Sequence, residues 1–290
     1  MRTLLLPLVV VACAGMQPAD PVTGALAPPA GTAITEVALP GPPGVTLRAE
    51  LHLPATPTGP AVVALHGCTG LGPAERPIRL SGRERDWAAR LVALGHPVLF
   101  PDSFGSRGLG EACGVRGFPA GSFGVRRDDA LAAAAWARAQ PWGQGGIAGR
   151  APALLGWSHG GSTVLAAWAA AAPGAISAAI AFYPGCVAAP EPSGPAVPLL
   201  MLLGAADDWT RPQPCEALAA RHAEVTRHTY PDARHAFDGL GGAVRTRWLP
   251  DGRQVSFGPE PAARADARAR VAAFLASQAD RPPAQRAGGP

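Results

Sequence analysis

The sequence predicts an α/β fold, in which a mostly parallel, doubly wound sheet carries helices on both faces in a three-layer sandwich. Two observations lead to this prediction. Short apolar runs alternate with longer helical segments along most of the chain, as in successive strand–helix–strand units. The composition is 48% hydrophobic and 16% charged, which supplies one large core and argues against a disordered chain. A length of 290 residues suits one such domain with short extensions.

The strands and helices are predicted from their local patterns. Two alternating runs on either side of a Pro- and Gly-rich turn, 33–39 and 45–53, predict a leading antiparallel pair. Apolar runs predict buried strands at 60–65, 96–100, 151–156, 178–183 and 197–204, and a last strand follows at 225–230. Segments with helical composition, several of them ended by Gly or Pro, predict helices at 83–94, 126–140, 158–172, 216–222 and 261–277.

The amino-terminal segment predicts export. Arg2 precedes an apolar run that is too short to span a bilayer, so residues 1–15 are interpreted as a signal peptide. The run ends in Val10-Val11-Ala12-Cys13 and resembles a bacterial lipobox, in which Cys13 becomes a lipidated membrane tether. Ordinary cleavage after Ala14 fits the same residues. We therefore expect an exported protein that is periplasmic and membrane-anchored, or secreted.

Three further segments complete the domain organisation. Residues 16–32 are predicted to be a flexible tether, 33–278 the folded domain and 279–290 a disordered tail. The net charge is +4, and the 25 basic residues are all arginine. They are scattered among 21 acidic residues without a basic run interleaved with aromatics, which argues against nucleic-acid binding.

The five cysteines predict disulfide bonds. Assigning Cys13 to the signal or the lipid leaves four, and an even number in an exported protein is typical of paired cysteines. Four cysteines allow three pairings, and four buried free thiols are the alternative. No CxxC pair or His-rich spacing is present, so no metal is expected.

A nucleophile is predicted where the strand 151–156 meets the helix 158–172. The segment Gly156-Trp157-Ser158-His159-Gly160 fits the G-x-S-x-G elbow. The sharp turn from strand to helix needs small residues on both sides of the serine and exposes its hydroxyl at the carboxyl edge of the sheet. Ser158 is therefore the predicted nucleophile, and a Gly/Ser turn without chemistry is the alternative.

A serine hydroxyl needs a base, and the base needs an orienting acid. In this kind of site the order along the chain is serine, acid, histidine. Asp207 and Asp208 follow the strand 197–204, so either lies at the correct edge of the sheet. Asp207 is preferred, and Asp208 is kept as the second candidate.

The predicted base is His235, because it follows the last strand on a loop. His222 lies in a predicted helix and His228 in a predicted strand, so neither suits the role as well. Asp232 competes as an acid, although its spacing from His235 is more typical of a turn cap.

An oxyanion hole needs two N–H donors that point at the developing negative charge. The backbone N–H of His159, at the start of the helix, is one predicted donor. The other is the N–H of Cys68, in the Gly-containing loop that follows the strand 60–65. His66 precedes that loop, and we expect its side chain to brace the loop rather than to act as a base.

Together these residues resemble the dienelactone hydrolase family, in its exported, serine-bearing branch. The matching stretches cover nearly all of the mature chain in the family's order: 66–71, 101–108, 127–130, 156–161, 183–186, 207–210 with Cys215, and 235–237. The resemblance implies a single α/β-hydrolase domain that uses neither a metal nor an organic cofactor.

The resemblance also refines individual assignments. It places the acid at Asp207. Similar members carry cysteines after Tyr-Pro-Gly and after the acid loop, which implies a Cys186–Cys215 bond of about 3 kcal/mol in the chain-entropy model. Cys113, in the Gly-rich segment 102–124, is then expected to anchor that segment to Cys68. There are two departures from the family: Arg211 stands where proline is frequent, and position 158 is serine where the namesake enzymes use cysteine.

The predicted function is hydrolysis of a carboxylic ester or lactone by a serine, histidine and aspartate triad, acting as a monomer on a small molecule. A peptidase or acyltransferase on the same scaffold and a non-catalytic lipoprotein binding module are the alternatives. Arg107, Trp157 and Trp209 are candidate substrate contacts. Structural salt bridges for the arginine and core packing for the tryptophans are the competing interpretations.

Overall fold

The computed structural model describes residues 25–144, 149–193 and 196–279. The predicted signal peptide, Cys13, residues 16–24 of the tether and residues 280–290 of the tail lie outside these ranges.

The strands are β1 (Ala33–Pro40), β2 (Thr46–Leu53), β3 (Val62–Leu65), β4 (Val98–Pro101), β5 (Ala153–Trp157), β6 (Ala178–Phe182), β7 (Leu199–Gly204), β8 (Val225–Tyr230), β9 (Arg245–Trp248) and β10 (Gln254–Phe257). The helices are α1 (Gly82–Ala93), α2 (Val125–Ala139), α3 (His159–Ala170), α4 (Gln213–Ala219) and α5 (Pro261–Ala279).

Eight strands form one sheet in the order β1-β2-β4-β3-β5-β6-β7-β8. The first pair is antiparallel, as predicted, and β2 also pairs antiparallel with β4. All other neighbours in this sheet are parallel. The chain is therefore a mostly parallel α/β fold, and the carboxyl ends of its central strands share one edge.

Helices cover both faces of the sheet. Alternate residues of β3 point to opposite faces of the sheet, so that Val62 packs in one core and Val63 in the other. The first core contains Trp87 of α1 and residues of α5, and the second contains residues of α2, α3 and α4. This arrangement is the predicted three-layer sandwich. None of the helices in the described ranges is both long and apolar enough to cross a membrane.

Every predicted strand and helix is present, with ends shifted by a few residues. The largest shift is at α4, which begins at Gln213 rather than at 216 because Pro212 starts its first turn. Residues 25–32, at the end of the predicted tether, are part of the described structure. Ala25 is 1% exposed, and the Leu26 N–H donates to Asp86 Oδ1 of α1 at 3.1 Å.

The sequence analysis missed the hairpin formed by β9 and β10. Its strands pair antiparallel, and Phe257 bridges to His235. Only Val255 among its strand residues is buried, so the apolar alternation that predicts a strand is weak. The Asp251-Gly252 turn between the strands was the available signal.

Candidate active site

Ser158 lies at the turn from β5 into α3, with φ 54° and ψ −115°. A side-chain-bearing residue in this region is strained by about 1–3 kcal/mol and persists only where its surroundings enforce it. Here the Ser158 N–H donates to the Phe182 carbonyl of neighbouring β6 at 2.9 Å. The strain is thus maintained by the sheet and directs the serine away from the β5 strand.

The glycines around Ser158 are required by close backbone contacts. A Cβ on Gly156 would collide with the carbonyl of Gly160, and a Cβ on Gly160 would collide with the carbonyl of Leu65. One on Gly161 would lie 2.8 Å from the Phe182 oxygen. The first turn of α3 therefore packs directly against β3, β5 and β6, and the glycines of this segment leave room for that close packing.

The structure brings the predicted nucleophile, base and acid into one hydrogen-bonded series. The Oγ of Ser158 lies 2.9 Å from His235 Nε2, and His235 Nδ1 lies 2.8 Å from Asp207 Oδ2. His235 and Asp207 are 3% exposed. A Cβ on Gly204, at the end of β7, would collide with the Ala233 carbonyl, so this glycine lets the acid loop and the histidine loop approach each other.

The acid is held by its own turn. Asp207 Oδ1 accepts the backbone N–H groups of Trp209 at 2.9 Å and Thr210 at 2.8 Å. The Thr210 hydroxyl lies 2.9 Å from Asp207 Oδ2 and 3.0 Å from the Tyr183 carbonyl. Sequence reasoning did not assign Thr210 a role, although an aspartate followed three residues later by threonine is typical of such turns.

The other candidates for acid and base lie elsewhere. Asp208 accepts the backbone N–H and the hydroxyl of Ser256, at 2.9 and 2.8 Å, and so attaches β10 to the acid loop. His222 is 3.3 Å from Glu191, and His228 is 3.7 Å from Asp266. Asp232 is exposed. Among the candidates, Asp207 and His235 are the pair that reaches Ser158.

Two aromatic rings enclose the His235 imidazole. The centroids of the Trp209 and Tyr183 rings each lie 4.7 Å from it. Trp209 also lines an open cavity of about 1010 Å³, whose walls are residues 185–187, residues 205–214 and Arg253. Trp209 thus contacts the base and also lines the cavity, and its role as a substrate contact stays a prediction.

Both predicted oxyanion donors are close to the same edge of the sheet. Leu65 of β3 pairs with Gly156 of β5, so the loop carrying Cys68 emerges beside the turn carrying Ser158. In the described ranges, the backbone N–H groups of Cys68 and His159 have no acceptor within the chain. Such free N–H groups, one of them at a helix start, are suited to bind a developing negative charge.

The His66 side chain braces the Cys68 loop. It is fully buried, and its Nδ1 lies 2.8 Å from the carbonyl of Gly67. Burial, and secondarily the Arg126 charge, hold the pKa of His66 well below its usual value, so the ring is neutral. Because Nδ1 faces a carbonyl, Nδ1 carries the proton and donates it.

Arg126, at the start of α2, is a site residue that sequence reasoning missed. It is 1% exposed, and it donates to the His66 carbonyl at 2.9 Å and to His159 Nδ1 at 2.7 Å. Burial lowers the pKa of Arg126 to about 9, against the opposing effect of Asp129 and Asp102, so it stays charged at neutral pH. Burial and this charge lower the pKa of His159 to about 3. The His159 ring is therefore neutral and accepts from the arginine.

Trp157 is packed in the core, in contrast to its candidate role as a substrate contact. It is fully buried, and its indole N–H donates to Asp238 Oδ2 at 2.9 Å. The Trp87 indole donates to the same oxygen at 2.8 Å, and the Tyr183 hydroxyl donates to Asp238 Oδ1 at 2.6 Å. Asp238, which sequence reasoning also missed, thus ties together α1, the residue before Ser158 and the ring over His235.

Arg107 is likewise occupied by a structural contact. Its two terminal nitrogens bind the oxygens of buried Asp129 at 2.8 and 2.7 Å, and one of them also donates to the Ser103 carbonyl. This bidentate pair uses the donors that a substrate carboxylate would need. The candidate substrate role of Arg107 is therefore replaced by the competing salt-bridge interpretation.

The structure contains both predicted disulfides. Cys68 pairs with Cys113 and Cys186 with Cys215, with Cα atoms 4.9 and 5.1 Å apart. The interpretation of four free thiols is thereby excluded. Two disulfides in one domain indicate that the protein folds in an oxidising compartment.

Comparisons with known proteins show a shared fold and a family. The model of the dienelactone hydrolase family matches residues 47–278. A dienelactone hydrolase-like promiscuous phosphotriesterase from metagenomic libraries has a similar structure, at 20% identity and a TM-score of 0.64, covering 85% of this chain and 98% of that one. An esterase from Pyrobaculum calidifontis superposes with a TM-score of 0.56 at 18% identity, covering 86% and 87%.

A third similar structure belongs to a larger protein. A puromycin-hydrolysing peptidase from Mycobacterium tuberculosis has a TM-score of 0.57 at 20% identity, with 87% of this chain and 40% of that chain covered. No curated protein sequence matches. At these identities the structural neighbours establish the shared α/β fold.

Proposed function

This chain belongs to the dienelactone hydrolase family, and on that premise we propose that it hydrolyses carboxylic esters or lactones of small molecules through Ser158. The observation that carries the proposal is the continuous series from the Ser158 hydroxyl through His235 to Asp207, with hydrogen bonds of 2.9 and 2.8 Å. Each group has the partner that its role requires.

The mechanism follows from these contacts. His235 Nε2 takes the proton of Ser158 as the oxygen attacks the substrate carbonyl, and Asp207 stabilises the imidazolium that forms. The N–H groups of Cys68 and His159 bind the oxyanion of the tetrahedral intermediate. His235 then returns the proton to the leaving alcohol as the acyl-enzyme forms. Water, activated by the same histidine, releases the acid and regenerates Ser158.

The proposed location follows from the disulfides and the amino terminus. The Cys68–Cys113 and Cys186–Cys215 bonds are suited to an exported protein. We propose that residues 1–15 direct that export. Cleavage at the lipobox would leave Cys13 as the lipidated amino terminus and membrane anchor of the protein. Mass spectrometry of the mature amino terminus distinguishes a diacylated Cys13 from cleavage after Ala14.

Replacing the nucleophile tests the function. Ser158→Ala removes the attacking oxygen, so kcat for p-nitrophenyl acetate is expected to fall by at least about 10⁴-fold. A fluorophosphonate probe is expected to label the wild type and not this variant. Ser277→Ala, on the exposed face of α5, is the control and retains labelling and rate. Undiminished hydrolysis by Ser158→Ala would refute the proposal.

Substrate profiling separates the alternatives on the same scaffold. The triad sets the chemistry, whereas the surrounding cavity sets the substrate. Rates are compared for p-nitrophenyl esters of increasing acyl length, for lactones and for peptide p-nitroanilides, with and without an added alcohol acceptor. We expect the esters or lactones to react fastest. Preferential anilide cleavage would indicate a peptidase, and ester exchange in excess of hydrolysis would indicate an acyltransferase.

A further inference from the structure

The peptide that carries the Cys68 N–H is held by its own loop on one side, through its carbonyl. Its carbonyl, on Gly67, accepts from His66 Nδ1 at 2.8 Å and from the Gly70 N–H at 3.4 Å. Gly67 and Gly70 flank the cysteine, and Gly70 has φ +72°. Glycine is the residue with the most backbone freedom. Within the loop, the direction of this N–H therefore depends mainly on the single His66 bond.

A distant segment supplies a second constraint. Residues 102–124, which we name the cysteine loop, place Cys113 in a disulfide with Cys68 and Ala112 beside it. The Ala112 N–H donates to the Cys68 carbonyl at 2.8 Å. Cys68 is thus fixed by a covalent bond on its side chain and by a hydrogen bond on its carbonyl, both from adjacent residues of one segment.

The cysteine loop is itself anchored on several sides. Phe104, Ala112 and Ala120 are buried together in a small apolar cluster, separate from the two main cores. Glu111 forms an ion pair of 2.6 Å with Arg247 of β9. At Gly114 the loop approaches so closely that a Cβ would lie 2.7 Å from Pro250 Cδ. The loop therefore provides a rigid support for Cys68, although its regular structure is limited to one short turn.

We infer that the Cys68–Cys113 bond positions the oxyanion donor, so that Cys113 is a positioning residue for catalysis. This inference rests on the proposed function, in which the Cys68 N–H binds the oxyanion. The disulfide acts through the backbone: it holds the Cys68 peptide in the orientation that the tetrahedral intermediate needs.

The size of the effect follows from the geometry of such donors. Loss of one oxyanion donor lowers kcat by about 10²- to 10³-fold, and a misplacement of about 1 Å lowers the rate by up to about 10²-fold. Loss of the disulfide leaves the N–H in place but loosens its orientation, because the His66 bond then holds the peptide from one side only. We therefore expect kcat to fall by about 10- to 100-fold. KM is expected to change by less than about threefold, because the donor binds the transition state rather than the ground state.

The experiment compares loss of the Cys68–Cys113 bond with a loss of stability in a part of the core that has no role in the site. The test variant is Cys68→Ala/Cys113→Ala, and the matched control is Leu275→Ala, at a buried position of α5 in the first core. The bond closes a loop of 45 residues, and its loss and the truncation of a buried leucine are expected to lower Tm to a similar extent. The concentration of active sites in each sample is measured by complete labelling with a fluorophosphonate. Each rate is divided by this concentration, so that unfolded protein does not lower the apparent kcat.

Three outcomes decide the inference. A 10- to 100-fold lower kcat in the test variant, with the control within about threefold of wild type, supports it. An equal fall in both variants overturns it, because general destabilisation then explains the loss. No fall in either variant overturns it as well. The inhibition constant of phenylboronic acid, which forms a tetrahedral adduct, is expected to rise by the same factor as kcat falls.

Two further controls keep the test decisive. If the alanine pair does not fold, Cys68→Ser/Cys113→Ser retains the side-chain volume without the covalent bond, and the same outcomes apply to it. Ser158→Ala is assayed in parallel. If that variant keeps full activity, the proposed function fails. If it is inactive while the disulfide variant is fully active, only the positioning inference fails.

Discussion

The two sides of Ser158 are built in different ways. On the acid–base side, residues 204–210 and 231–238, the Asp207 carboxylate is held by its own turn, through the backbone N–H groups of Trp209 and Thr210. The oxyanion side, residues 66–70 with the start of α3, is held by groups from distant parts of the chain. Arg126 binds the His66 carbonyl, and Cys113 binds Cys68.

The two sides also differ in the charge of the buried group that contacts the reacting residues. The Asp207 carboxylate lies against His235, whereas the Arg126 guanidinium lies against His159 and the His66 carbonyl. Negative charge favours the imidazolium that forms on His235, and positive charge favours the oxyanion. The comparison indicates that each side places a charge of the favourable sign beside the group on which charge develops. The carboxylate is held by its own turn, and the arginine comes from a distant part of the chain.

The sharpest test on the acid–base side uses two adjacent aspartates. Asp207→Asn removes the charge that orients His235, and kcat is expected to fall by about 10⁴-fold. Asp208→Asn is the matched control, because its contacts are with Ser256 of the hairpin, and kcat is expected to stay within about tenfold. Steady-state kinetics on p-nitrophenyl acetate measure both. A greater loss for Asp208→Asn would reverse the assignment.

On the oxyanion side, two adjacent arginines allow a similar comparison. Arg126→Gln leaves the His66 carbonyl and His159 Nδ1 without their donor, so the free energy of unfolding is expected to fall by about 2–4 kcal/mol and kcat by about 10- to 100-fold. Arg127→Gln disturbs a half-exposed pair with Asp128, and its effect on stability is expected to be below about 1 kcal/mol.

Urea unfolding and kinetics measure the two arginine variants. A loss of stability in Arg126→Gln without a loss of kcat would mean that Arg126 supports the fold alone. Equal effects of the two substitutions would remove the distinction between a buried brace and a surface ion pair.

The smallest expected effect concerns acid stability on the oxyanion side. The pKa of His159 is about 3 in the folded protein, whereas an unfolded histidine titrates near ~6.5. Between these values the unfolded chain binds a proton that the folded chain does not, so the free energy of unfolding falls as the pH is lowered. One such histidine contributes a slope of about 1.4 kcal/mol per pH unit.

His159→Asn tests this linkage. The asparagine oxygen replaces Nδ1 as the acceptor for Arg126 but does not titrate. Between pH 4 and 6, the dependence of unfolding free energy on pH is expected to be shallower by about 1.4 kcal/mol per unit. Above about pH 7.5 the unfolding free energies of the variant and the wild type are expected to change with pH in the same way. An unchanged slope at low pH would mean that His159 is protonated in the folded protein.

Much of the fold was predictable because its signals are local. The apolar runs of β5 and β6 and the small residues around Ser158 act within a few positions of each other, and the structure has them as predicted. Asp207 was placed by its position just after a strand, and the contacts of its turn then separate it from Asp208. The hairpin β9–β10 was missed because its strands bury only Val255, so almost no apolar periodicity records it.

The sequence by itself determined the α/β architecture, the turn at Ser158 and the residues that can act as acid and base. The tertiary structure alone decided the roles of Arg126 and Asp238, and it corrected those of Arg107 and Trp157. The reason is physical: a buried polar group needs a partner, and these partners come from distant sequence. Arg126 binds His159, 33 residues away, and Asp238 binds Trp87, 151 residues away. Periodicity and spacing carry no record of such contacts, which form only when the chain packs.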